Sequence, residues 1–144
     1  MKYNKFDQSY FIFIEKGELV METLTHFCKN TNIKNGQVSG IGAVKCIELG
    51  AYDLENKFYI RRNFDSIYEL VSFQGNITLK KEEPFIHAHI TIGNHKMEIH
   101  GGHLFEMTVA VVGEFILRRF DGKILREMDE EIGIPICNFP EEKL

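Results

Sequence analysis

Only one segment of the chain repeats its apolar positions at the helical interval. In residues 18–29, apolar side chains recur every three or four positions, which predicts an amphipathic helix packed on a sheet. Glu18 and Glu22 lie in its first turns and Lys29 lies near its end, where the helix dipole favours those charges. The apolar positions of the predicted helix are Val20, Leu24, Phe27 and Cys28.

The rest of the chain is dominated by strand-like segments. Residues 10–14 are apolar on both faces and predict an internal strand, whereas residues 68–73 alternate between two faces. Turn signals such as Asn35-Gly36 and Asp121-Gly122 separate the segments. About seven such segments, joined mostly by hairpin-length turns, predict a single domain with an α+β fold and a largely antiparallel sheet.

Residues 84–103 hold five of the six histidines of the chain. His87 and His89 lie two residues apart in a segment rich in β-branched residues, which Gly93-Asn94 closes as the start of a hairpin turn. The side chains of a strand alternate between its faces, so both imidazoles are expected on the same face.

Two residues compete for the place beside them on the returning strand. Strict alternation after the turn brings His100 to the shared face. A bulge at Gly101-Gly102 would shift the parity by one residue and bring His103 there instead. The spacing alone leaves both possibilities open.

Three neutral imidazoles at one place match the ligand set of an open zinc site, in which a fourth position is left for water or substrate. The plainer interpretation is a set of half-buried histidines with ordinary hydrogen bonds. Catalysis would also need a general base near the metal. Four carboxylates are candidates, but the sequence places none of them at the site, so it does not decide whether the chain is an enzyme: Glu69, Glu98, Glu106 and Glu114.

The net charge of −4 comes from the C-terminal segment. Residues 126–144 contain two basic and six acidic residues, and the residues before them are neutral overall. Neutralising nucleic-acid phosphates takes a basic surplus or stripe. The chain has only short basic pairs, which indicate solvated surface positions, so direct nucleic-acid binding is not expected: Arg61-Arg62, Lys80-Lys81 and Arg118-Arg119.

The cysteines and the N-terminal residues indicate a cytoplasmic protein without membrane contact. Cys28, Cys46 and Cys137 are odd in number and form no Cys-x-x-Cys pair, which is typical of a reducing compartment. The first residues lack the apolar run of a signal peptide, and the apolar residues 11–14 are too few to span a bilayer.

Six short motifs follow one another along the chain: Lys16-Gly17-Glu18, Ser39-Gly40-Ile41-Gly42-Ala43, Glu69-Leu70 with Ser72 and Gly75-Asn76-Ile77, Pro84-Phe85-Ile86-His87-Ala88-His89, Gly101-Gly102-His103-Leu104 and Val112-Gly113-Glu114. In this order they resemble the plant and prokaryote domain, written PCC or PPC. The resemblance covers residues 8–120 of a single domain spanning residues 1–144, and leaves residues 126–144 as an acidic tail.

The resemblance implies a two-layer α/β sandwich with a mainly antiparallel sheet of about seven strands, assembled as a homotrimer. It implies that His87, His89 and His103 bind zinc or another divalent metal at a site open to a small-molecule ligand, which favours His103 over His100. The alternative function is DNA binding or transcription-associated regulation, a label that the family carries because plant members have basic AT-hook segments. The chain has no Arg-Gly-Arg-Pro-like stretch of that kind.

Overall fold

The computed structural model describes residues 1–139, which form one nine-stranded sheet and one helix. The strands are β1 (Lys2–Phe6), β2 (Ser9–Ile14), β3 (Gly36–Asp53), β4 (Phe58–Phe64), β5 (Tyr68–Lys80), β6 (Glu83–Gly93), β7 (Ile99–Arg119), β8 (Leu125–Asp129) and β9 (Ile134–Asn138), and the helix α1 spans Val20–Asn30. The sheet order is β1-β2-β7-β3-β5-β8-β9, with β4 paired to β3 and β6 paired to both β5 and β7. Strands β3, β5, β6 and β7 therefore pair in a closed cycle.

The predicted α+β two-layer sandwich with a mainly antiparallel sheet of about seven strands is wrong. The chain is mostly β, with nine strands in a mixed sheet, because β5 and β8 run parallel, and its one helix has 11 residues. The hydrophobic pattern missed β1, which is exposed at every position, and did not predict β8 and β9 as a pair of strands in the acidic segment. These three strands bury too few apolar side chains to produce a strand signal in the sequence.

Helix α1 packs its predicted apolar positions against the sheet. The buried residues are the four that the spacing singled out: Val20, Leu24, Phe27 and Cys28. Leu19 provides no side-chain cap at the N-terminus of the helix. Instead, the Glu106 carboxylate on β7 accepts hydrogen bonds from the backbone nitrogens of Met21 at 2.8 Å and Glu22 at 3.1 Å. The helix is thereby tied to the strand that carries His103.

The hairpin of β6 and β7 turns through the five residues 94–98, a longer loop than a two-residue turn. Asn94 organises this loop, because its Oδ1 accepts hydrogen bonds from the backbone nitrogens of Lys96 at 2.8 Å and Glu98 at 3.0 Å. The loop joins Gly93 to Ile99, which lie directly opposite each other.

Gly101 and Gly102 allow close approach of neighbouring backbones and form no bulge between β6 and β7. The register between these strands runs without a shift. A Cβ atom on Gly101 would lie 2.8 Å from the carbonyl oxygen of Ile90, and one on Gly102 would lie 2.9 Å from that of Gly50. The glycine pair therefore lets β7 lie against β6 on one side and β3 on the other.

Within residues 1–139, no helix is both long and apolar enough to cross a membrane. The predicted acidic tail, residues 126–144, lies partly outside the described residues, which end at residue 139.

Candidate metal centre

Three histidines of β6 and β7 meet on one face of the hairpin. His89 lies directly opposite His103 in the register, and His87 lies two residues before His89 on β6. One ring nitrogen from each residue can be chosen so that all three lie within 4.8 Å of one another. The ring centroids are 5.1 Å apart for His87 and His89, 5.1 Å for His87 and His103, and 5.5 Å for His89 and His103.

The other histidines of the predicted segment do not join this cluster. His100 lies opposite Ile92, and its ring packs against Phe64 at a centroid distance of 5.1 Å. His95 is exposed in the loop between the strands. His103, and not His100, therefore shares a face with His87 and His89. The length of the loop determines which of the two residues lies on that face.

Aromatic side chains surround the more buried part of the cluster. His87 and His103 are partly buried, whereas His89 is exposed. The ring of Tyr59 stacks on His103 at 4.8 Å, and that of Phe105 meets it edge-on at 5.0 Å. The Nδ1 atom of His103 is buried and has no hydrogen-bond partner among the described residues. A buried polar atom without a partner is costly, so this nitrogen is available to a ligand.

Burial and nearby positive charge favour the neutral form of two of these rings. The pKa of His103 is lowered to about 4, mainly by burial and then by the neighbouring His87 and His89. Burial, followed by the charge of Arg126, also lowers the pKa of His87. A neutral imidazole is the form that binds a metal ion.

Arg126 reaches the cluster from β8. Its guanidinium donates hydrogen bonds to the oxygens of three neutral groups: Thr78 Oγ1 at 2.9 Å, Asn76 Oδ1 at 3.0 Å and the Pro135 carbonyl at 3.1 Å. Its Nη2 also lies 3.3 Å from His87 Nδ1. A guanidinium can only donate, so this contact requires His87 Nδ1 to accept, as a neutral ring can.

A cleft of 490 Å³ opens beside His87 and His103. Its walls include the aromatic rings of Tyr59, Phe85 and Phe105. This volume lies within the usual range for small-molecule pockets. The arrangement places any metal held by the histidines at the edge of a pocket large enough for a small ligand.

Three basic residues line the same cleft: Arg61, Lys80 and Arg126. The sequence analysis assigned Arg61 and Lys80 to solvated surface positions. In the structure, the guanidinium of Arg61 lies 3.8 Å from the ring centre of Phe105, and the ammonium of Lys80 lies 5.4 Å from that of Phe85. The sequence analysis missed Arg126, because a single basic residue in an acidic segment carries no signal that β8 pairs with β5.

None of the four candidate carboxylates lines this cleft. Glu106 caps the helix, and Glu98 accepts a hydrogen bond from the side chain of Asn94 at 2.7 Å. Glu69 and Glu114 border a different depression of the surface. The arrangement can therefore hold a metal, but within residues 1–139 it brings no carboxylate to the cleft as a general base.

The donor set fits a divalent metal. Nitrogens bound tetrahedrally to zinc at about 2.0–2.1 Å lie about 3.3 Å from one another. Small side-chain rotations would bring nitrogens that lie within 4.8 Å to this separation. Three imidazoles without a fourth protein donor match the open type of zinc site, and an imidazole set also suits copper, iron or nickel.

Several solved structures share this fold over nearly the whole chain. A plant- and prokaryote-conserved (PPC) protein from Pyrococcus horikoshii is 32% identical, with a TM-score of 0.85 and coverage of 99% of this chain and 96% of that one. A metal-containing protein from Archaeoglobus fulgidus is 27% identical, with a TM-score of 0.86 and 96% coverage of both chains. A protein from Bacteroides thetaiotaomicron, named as a "putative DNA binding protein", is 28% identical, with a TM-score of 0.93 and 96% coverage of both chains. No curated protein matches the chain.

Comparison with protein families confirms the resemblance that the six motifs indicated. The model of the Plants and Prokaryotes Conserved domain matches residues 1–121, a range that contains all three histidines of the cluster. The strands β8 and β9, which carry Arg126, lie beyond the matched residues. The chain belongs to the Plants and Prokaryotes Conserved (PCC) domain family.

Proposed function

We propose that His87, His89 and His103 bind one divalent metal ion, zinc in the first place, and present it to a small-molecule ligand in the adjoining cleft. The observation that carries this proposal is the convergence of three imidazole nitrogens within 4.8 Å, one ring having a buried Nδ1 without a hydrogen-bond partner in the part of the chain that the structure describes. The metal in the name of the Archaeoglobus fulgidus relative supports it. No carboxylate among the described residues joins the cluster, which disfavours magnesium and calcium, because these ions prefer oxygen ligands.

The residues around the cluster would hold its rings and shape the space for the ligand. Tyr59 and Phe105 fix the orientation of the His103 ring by packing on it. When bound, zinc supplies a Lewis acid that polarises a ligand oxygen and lowers the pKa of a bound water. None of the described residues brings a carboxylate to the cleft to move a proton, so ligand binding is the function that the geometry supports best.

We also propose that the chain self-associates, as the homotrimer that the family resemblance implies. In the sheet register Phe11 lies opposite Ile116, which lies opposite Ser39 on its other side. Phe11 and Ile116 are 42% and 51% exposed. Adjacent side chains in register share a face, and exposed apolar patches of this kind mark association surfaces.

The row of register neighbours that begins with Phe11, Ile116 and Ser39 continues toward the candidate metal centre. Ser39 lies opposite Gln74, and Gln74 lies opposite His89. A second copy covering the apolar end of this row would therefore lie close to the exposed histidine. Self-association and metal binding would share one face of the sheet.

DNA binding is the second candidate function, and the name of the Bacteroides thetaiotaomicron relative is the observation that favours it. The net charge of −4 opposes it, because contacts with phosphates rely on excess Lys and Arg. We expect no retardation of duplex DNA in a gel-shift assay, even at low salt. Retardation that weakens steeply as salt is added would favour DNA binding instead.

The first prediction concerns metal content. The protein loaded with zinc and then dialysed should retain one ion per chain, and His87→Ala and His103→Ala should each lower zinc affinity at least about 100-fold, because each removes a ligand rather than an outer-shell partner. Mass spectrometry of the metal and a competition titration measure both quantities. His100→Ala is the matched control and should bind zinc as the wild type does. Equal zinc binding by all three variants would contradict the proposal.

The second prediction concerns the stability of the metal-free protein in acid. The folded-state pKa of His103 is lowered to about 4 from 6.5, so the unfolded chain binds the proton first as the pH falls. The contribution of the neutral His103 ring to the free energy of unfolding is therefore present above pH 6.5 and is lost between pH 6.5 and about 4. In His103→Gln, the loss of unfolding free energy over this window, measured by urea denaturation, should be smaller by about 1–2 kcal/mol. His95→Gln in the exposed loop is the control and should match the wild type. An unchanged pH dependence in His103→Gln would contradict the assignment.

The third prediction concerns assembly. Light scattering coupled to size exclusion should give the mass of three chains of 16.7 kDa for the wild type. Ile116→Lys should give the monomer mass, because a charge would be buried in the proposed interface. Met97→Lys makes a similar change at a loop residue that is 81% exposed and should remain a trimer. A wild-type monomer, or a trimeric Ile116→Lys variant, would contradict the proposed surface.

A further inference from the structure

The cleft beside the histidines is lined by positive charge alone. Arg61, Lys80 and Arg126 line it, and no Asp or Glu of residues 1–139 does. The chain as a whole carries more acidic than basic residues, so this local excess of positive charge runs against the composition. A concave site with one sign of charge attracts ligands of the opposite sign.

Arg126 and Lys80 have no carboxylate partner among the described residues. No salt bridge joins either side chain to an acidic group there, whereas Arg61 is paired with Glu48 at 2.9 Å. The neighbouring Glu127 accepts a hydrogen bond from Asn138 instead. Arg126 is partly buried and, among the described residues, donates hydrogen bonds only to neutral groups, so no carboxylate there compensates its charge.

These two cations lie against the same aromatic ring. The guanidinium carbon of Arg126 and the ammonium of Lys80 are each 5.4 Å from the ring centre of Phe85. Tyr59 and Phe105 contribute further aromatic surface to the cleft. The cleft thus combines an apolar wall with two positive groups that have no carboxylate partner within residues 1–139, which suits a ligand with an anionic end and an apolar or aromatic body.

A metal ion would strengthen this preference. Arg126 lies 3.3 Å from a nitrogen of His87, so a divalent cation held by the three histidines would have a guanidinium as a near neighbour. Like charges this close repel each other, and the imidazoles bring no negative charge. An anionic group placed between the metal and Arg126 would relieve the repulsion and bind both.

We infer that the cleft binds a small organic anion, a carboxylate or a phosphate ester, with its negative group held by Arg126 and Lys80 beside the metal. This inference rests on the proposed metal site for the location of the anion. The basic residues are a property of the chain itself, so their contribution can be measured with and without metal.

Calorimetric titration with phenyl phosphate, benzoate and the neutral analogue benzamide tests the inference. Zinc-loaded wild type should bind at least one of the two anions saturably, and the tighter of them identifies the preferred group. Benzamide should bind at least about 10-fold more weakly, because it carries no negative charge to pair with Arg126 and Lys80. If neither anion binds saturably at concentrations up to about 10 mM, the inference is overturned.

Lys80→Gln is the informative variant, because Arg126 also holds β8 and β9 in place and its removal would disturb the fold. Lys80→Gln should weaken anion binding about 10-fold. Lys123→Gln removes the same charge from a residue that pairs with Glu82 outside the cleft, and should leave affinity within about twofold of the wild type. Equal losses in the two variants, or no loss in Lys80→Gln, would overturn the inference.

Zinc content measured on the same samples separates the two proposals. Stoichiometric zinc without anion binding would support the proposed metal site and contradict the proposed anion site. Anion binding that depends on Lys80 in a protein that retains no zinc would support the basic cleft and remove the metal site.

Discussion

The antiparallel pairing of His89 with His103 is the contact on which the candidate site depends. A strand that slipped by one residue would turn every side chain to the opposite face, and His103 would leave the cluster. The side chain of Asn94 fixes the loop that sets this register, and the glycine pair before His103 lets β7 lie between two neighbouring backbones. The positions of the histidines thus follow from backbone geometry.

A second constraint comes from the segment after the family domain. The hairpin of β8 and β9 pairs with the end of β5 and carries Arg126 to the edge of the cluster. The guanidinium holds the hairpin through Thr78 and Pro135, and it also gives the cleft a positive charge. The same residue therefore links the stability of this hairpin to the chemistry of the pocket.

Local spacing in the sequence predicted part of this arrangement. The stripe from Val20 to Cys28 identified the helix, and the two-residue spacing placed His87 and His89 on one face. Spacing could not choose between His100 and His103, because the choice depends on the number of loop residues. The family resemblance favoured His103, and the structure places it in the cluster without a bulge at Gly101-Gly102.

The sequence analysis did not predict the pairing of strands that lie far apart in the chain. The count of strands was wrong because β1, β8 and β9 lack the apolar alternation that marks a buried strand. Arg61 and Lys80 resemble surface residues in the sequence, and only the folded chain brings them together with Arg126 around one cleft. Chemistry built from residues on β4, β5 and β8 has no signature in local sequence.

X-ray absorption spectroscopy of the zinc-loaded protein tests the central claim most directly. The account predicts three imidazole nitrogens and one further light atom at about 2.0–2.1 Å from the metal. A sulfur ligand at about 2.3 Å, or fewer than three imidazoles around the ion, would contradict a centre built from His87, His89 and His103.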